Sequence, residues 1–221
     1  MSLSRISERT RTRLVCGVAG LALAAGAVAG PVASAYADSP TDTAVRVPAA
    51  ADKAAKMVTA QDVINLAMRQ VGISENSYGG GTKFQQWYMN TQRAKETLAR
   101  DGGGTPAIYL NAPWCAMFVS WLGDQLGIRP ILGWDAYTVT YAKWFQNNGH
   151  WGDVAKPGAV VFYAWNGSKD VDSVDHVGIV VQDNGDGTIK TVEGNTGRGQ
   201  VEVRIRPKSQ VVGYGYPQYT A

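Results

Sequence analysis

Apolar positions recur at helical spacing in the first half of this chain and in short alternating runs in the second. In "TAQDVINLAMRQVG" the apolar face of Val63, Ile64, Ala67, Met68 and Val71 follows Thr59 as N-cap, with Asp62 three residues on and Gly72 as a stop. Between the glycine triplets at 79–81 and 102–104 the pattern predicts a helix from about Phe84 to Arg100. In "PWCAMFVSWLGDQLG" the residues Cys115, Phe118, Val119, Leu122 and Leu126 make one buried helical stripe closed by Gly127. A further helix is predicted around Thr138 to Gln146 on Tyr141, Ala142, Trp144 and Phe145.

After Pro157 the texture changes to "GAVVFYAW", "DHVGIVV", "GTIKTVEG", "QVEVRIRP" and "VVGYGYP", short β-rich runs separated by turn residues. The "DNGDGT" between the second and third runs predicts a hairpin turn, since Asn-Gly and Asp-Gly tolerate positive φ. Helices first and strands afterwards predict an α+β fold, with N-terminal helices packed on a C-terminal antiparallel β-sheet.

The chain opens on a basic stretch with Arg5, Arg9, Arg11 and Arg13. An apolar run from Leu14 to Gly30 and small residues at Ala35 and Ala37 follow. This is the pattern of a secretory signal peptide over residues 1–37, with the mature chain starting near Asp38. The run is short and rich in Ala and Gly, which argues against a membrane span, and no membrane association is expected after cleavage. Cys16 leaves with the leader. Residues 38–58, rich in Ala, Pro, Thr and Asp, are expected to be a flexible linker, and residues 59–221 one catalytic domain. Removing the leader takes away four of the 21 Lys+Arg and one of the 18 Asp+Glu, leaving 17 of each. The basicity therefore belongs to the leader, and nothing argues for a nucleic-acid partner.

A single cysteine, Cys115, then remains in a chain bound for an oxidising compartment. It is an inert packing residue, an intermolecular bridge or a reactive thiol, and composition does not choose among these. Its position favours reactivity. With Asn111 as a possible N-cap and Pro113 tolerated in the first turn, the thiol lies where unpaired N–H groups and the positive end of the helix dipole stabilise a thiolate. A nucleophilic cysteine needs a base, and the chain has two histidines. His150 lies in the loop "NNGHWGDVAKPG", whereas His176 begins a strand that fixes its direction, so His176 is favoured. Pairing "DHVGIVV" with "TIKTVEGN" brings Glu193 and Asn195 back beside His176. The two share a face while the strand stays regular, and either can orient the imidazole. Asp170, Asp172 and Asp175 read as a solvated acidic loop rather than a cation site.

Taken in order, "PWCAMFVSW", "KPGAVVFYAW", "DHVGIVV", "TVEGNTG" and "VVGYGYPQY" resemble the CHAP domain, the cysteine, histidine-dependent amidohydrolase/peptidase family of the papain-like and NlpC-like thiol hydrolases. The resemblance spans roughly residues 59 to 219. It implies a papain-like arrangement, a catalytic set of Cys115, His176, Glu193 and Asn195, and peptidoglycan as the substrate, cut at an amide bond. That bond joins N-acetylmuramic acid to L-alanine or lies within the peptide. The family's calcium loop is not carried over, because only Asp101 stands in "RDGGGTPAIYLNAPWC". No metal or other cofactor is expected. Trp114 is placed at the cleft wall as a substrate contact. The expected protein is a secreted, cell-wall-associated monomer. Its rivals are a non-catalytic wall-binding protein on the same fold and a dimer bridged through Cys115.

Overall fold

A computed structural model describes residues 57–220; the predicted leader, Cys16 and the linker up to residue 56 lie outside the described residues. Helix α1 (Ala60–Met68) starts as its sequence predicts. The Thr59 hydroxyl accepts from the backbone N–H of Asp62, and the Asp62 carboxylate accepts from that of Thr59. Val63, Ile64 and Ala67 are buried, while Met68 and Val71 are exposed, because the helix stops at Met68 and its stripe stops with it.

The helix expected over residues 84–100 is two helices, α2 (Lys83–Met89) and α3 (Gln92–Arg100). Thr91 breaks them: its hydroxyl donates to the carbonyl of Tyr88 and accepts from the N–H of Ala94, so it caps a new helix rather than continuing the old one. Residues Pro106–Asn111 form a 3-10 helix, and α4 (Cys115–Gln125) follows. Asn111 is therefore not the N-cap of α4. Pro113 holds Ala112 extended, at φ −79° and ψ 157°, and the cap is Trp114. The short α5 (Arg129–Leu132) and α6 (Thr138–Asn147) follow.

Six antiparallel strands come last: β1 (Trp151–Gly152), β2 (Val160–Tyr163), β3 (His176–Asp183), β4 (Thr188–Thr196), β5 (Gln200–Pro207) and β6 (Val211–Gly215), in the order β1-β6-β2-β3-β4-β5. The α+β arrangement is the expected one. The two-residue β1, too short to show a period, is the strand the pattern missed.

The sheet packs two apolar layers. Val160, Phe162, Val177, Ile179 and Val192 join the helices in the main core, where α4 is buried on nearly every side from Cys115 to Gly123. The alternate residues Val161, Tyr163, Val180 and Ile189 form a smaller cluster with Ala159, Val211 and Tyr214. Val58, at the end of the expected linker, is buried in the main core, and its carbonyl accepts from Thr220 near the other end of the described chain. Among the described residues no helix is long and apolar enough to cross a membrane.

Candidate active site

Two element ends meet at the site. Cys115 is the first residue of α4, and no side chain caps the helix, so the first-turn N–H groups converge beside the thiol with no intrahelical acceptor. His176 is the first residue of β3, held opposite Tyr163 of β2. The Cys115 thiol stands beside the imidazole on one side and favours its protonated form. On the other, its Nε2 lies 3.0 Å from Oε2 of Glu193. With Nε2 engaged by the carboxylate, Nδ1 is left for the sulfur.

Glu193 is 0% exposed and held by three elements. Its Oε1 accepts from the Thr191 hydroxyl at 2.6 Å and from Arg206 Nε at 3.0 Å, and its Oε2 accepts from Arg206 Nη2 at 2.6 Å. Arg206, on β5, thus makes a two-pronged contact with the carboxylate that orients the histidine. Two glycines admit this packing. A Cβ on Gly178 would stand 2.7 Å from Cγ of Glu193, so the bare backbone two residues after His176 lets Glu193 reach the ring. A Cβ on Gly194 would stand 2.7 Å from both Phe118 Cβ and Trp114 Cζ3, so Gly194 lets β4 lie against the start of α4.

The electrostatics follow from these partners. Burial pulls the His176 imidazole down, but its hydrogen bonds to Cys115 and Glu193, and the charges of both, outweigh burial and push its pKa up to about 9. Burial likewise pushes the Glu193 carboxyl up. The hydrogen bonds from His176 and Arg206 win, holding it at about 2. The site therefore keeps an imidazolium beside a carboxylate at neutral pH.

Asn195 is not beside Glu193 on the same face. The β4–β5 register shifts between Glu193 and Thr196, and Asn195 takes φ +56°, the left-handed region a strand residue rarely enters. Its side chain is engaged elsewhere than at His176. Oriented to satisfy both neighbours, its amide oxygen accepts from the backbone N–H of Trp114 at 3.1 Å and its nitrogen donates to Glu75 Oε1 at 3.3 Å. Glu193 alone of the pair meets the imidazole.

Trp114 is not at a cleft wall. Its side chain is fully buried, stacked on Phe84 with centroids 5.3 Å apart, and its indole N–H donates to Glu75 Oε1 at 2.9 Å. An aromatic that caps the start of a buried helix is drawn into the core by its neighbours, and its own sequence context does not show which way it turns. The tryptophan that does flank the histidine is Trp165, 41% exposed. Its ring lies 5.2 Å from that of His176, and the Arg206 guanidinium stands 4.9 Å from it on a π face.

Arg206, Thr191 and Trp165 escaped the sequence reading. Only the alternation of "QVEVRIRP" hinted that Arg206 shares a face with its neighbour strand. His150 sits in the loop after α6, where its backbone carbonyl accepts from Tyr216, apart from this network. The acidic loop is occupied locally: Asp175 accepts from the Trp165 N–H, Asp170 accepts from that of Asp172, and Asp172 pairs with Lys143.

No curated protein and no solved structure matches the chain significantly. The family model of the CHAP domain matches residues 107–195, from the 3-10 turn before α4 to Asn195, the stretch that brings Cys115, His176 and Glu193 together.

Proposed function

We propose that the protein is a secreted peptidoglycan hydrolase that cuts an amide bond with Cys115 as nucleophile. CHAP domains are generally cysteine- and histidine-dependent amidohydrolases or peptidases that act on peptidoglycan. The observation that carries the reading for this chain is the buried Glu193–His176 hydrogen bond with the imidazole beside a thiol at the first position of a helix.

The steps follow from the geometry. The Cys115 sulfur, its proton already held by His176 as imidazolium, attacks the amide carbonyl carbon as thiolate, and the carbonyl oxygen takes negative charge in reach of the open first-turn N–H groups of α4. The C–N bond then breaks, and the His176 imidazolium gives its proton to the departing amine. Water, losing a proton to the now neutral imidazole, attacks the thioester carbonyl, and the acid leaves as the thiol is restored. Glu193 fixes the tautomer and the ring direction throughout. No cofactor enters these steps. Asn195 supports the site from the other side, at the N–H of Trp114.

The leader pattern of residues 1–37 supports export, and with it action on the wall from outside the cell. Purified peptidoglycan incubated with the protein should release soluble fragments, and Cys115→Ala should release none. Wild-type release by that variant refutes the reading, and sedimentation with peptidoglycan without product would leave a wall-binding protein in its place. Mass spectrometry of the fragments identifies the amide that is cut.

A further inference from the structure

Glu75 lies outside the matched stretch and outside the line from Glu193 to Cys115, yet it is joined to the start of the helix that carries the thiol. Its Oε1 accepts from the Trp114 indole at 2.9 Å and, at 3.3 Å, from the Asn195 amide whose oxygen holds the backbone N–H of Trp114. The backbone N–H of Glu75 donates at 2.8 Å to the carbonyl of Gly199, in the turn just after Asn195, and Ser74 bridges to Gln200. One carboxylate oxygen therefore ties together the residue before the thiol, the strained end of β4 and the segment after α1.

We propose that Glu75 is a positioning residue for the nucleophile: through Asn195 and the Trp114 indole it fixes the first turn of α4, and so the place of the Cys115 sulfur relative to His176. The inference rests on the proposed thiol hydrolysis. Its physical basis is that Cys115 occupies the first position of its helix, where backbone is free to fray, and that no side chain of its own helix caps that end. The clamp supplies from outside what the local sequence does not. Because Asn195 holds φ +56°, its amide direction is set by its two partners rather than by strand geometry, and losing Glu75 frees both Asn195 and the indole. Small displacements of a nucleophile cost rate steeply, roughly a hundredfold for 1 Å.

The test compares wild type, Glu75→Ala and Glu75→Gln, with Cys115→Ala as control. Three readouts are used: the rate of fragment release at saturating and limiting peptidoglycan, the rate of Cys115 alkylation by iodoacetamide across pH, and Tm. A glutamine carbonyl accepts both hydrogen bonds that Oε1 accepts. The expected result is that Glu75→Ala lowers the saturated rate about tenfold or more with little change in half-saturation. It also changes the pH dependence of alkylation, and Glu75→Gln restores both. Wild-type rate and alkylation in Glu75→Ala overturn the inference. So does a loss that only tracks Tm, or a Glu75→Gln protein as impaired as the alanine variant. Activity in Cys115→Ala refutes the hydrolytic reading instead, and alkylation, which needs no turnover, still decides whether Glu75 positions the thiol.

Discussion

Glu193 meets His176 across a glycine. The 3.0 Å contact between Oε2 and Nε2 forms over Gly178, whose missing side chain leaves the room that the Glu193 stem occupies. Two strands of one hairpin thus carry the acceptor and the imidazole, and Arg206 from the next strand holds the acceptor in turn.

His176→Ala should abolish fragment release from peptidoglycan, and His150→Ala should keep most of it, since only His176 touches Cys115 and Glu193. Comparable losses in the two variants, with both folded by circular dichroism, sink the assignment of the base.

The pH profile follows from the raised pKa of His176. The imidazolium that protonates the leaving amine persists above pH 6.5 and is lost as pH rises through about 9, so release should fall over that limb. Glu193→Gln removes the negative charge that favours the imidazolium, so its alkaline limb should move to lower pH along with a reduced maximal rate. An unmoved limb means that Glu193 does not set the protonation of His176.

Arg206→Gln should weaken the fold in a pH-dependent way. Glu193 is depressed from 4.5 to about 2, so the stability it contributes is complete above about 4.5 and is lost as pH falls through about 2. Arg206 is one cause of that depression. The Tm gap between wild type and variant should be widest above pH 4.5 and close toward pH 2. A gap that stays constant across that range shows the arginine acting by packing alone.

Gly194→Ala places a methyl 2.7 Å from Trp114 and Phe118, both buried, and overpacking of this kind costs about 1–3 kcal/mol. Tm should fall by several degrees. Gly178→Ala should lower fragment release by a larger factor than its effect on folding explains, because its methyl meets the Glu193 side chain rather than a core ring. Unchanged release in Gly178→Ala contradicts the account of the glycine.

Much of the architecture was legible because it is written in short-range signals. The capping box at Thr59 and Asp62, the stripe from Cys115 to Leu122 and the Asp-Gly turn before β4 each lie within a few residues, where period and turn chemistry are decisive. The break at Thr91 was equally local but ambiguous, since a threonine inside an apolar pattern caps a helix or continues it, and packing decides which.

The sequence by itself determined the helix-then-sheet order, the one thiol at a helix start in residues 57–220, and the strand histidine that a hairpin carries toward an acidic partner. Those follow from residue type and spacing along a single segment. Only the tertiary structure decided that Glu193 and not Asn195 meets the imidazole, that Trp114 is buried while Trp165 flanks the ring, and that Arg206 and Glu75 join the site. The reason is physical: a bulge with positive φ reverses a side chain's face, and hydrogen bonds between residues 13 and 39 positions apart depend on the register of strands and the packing of helices.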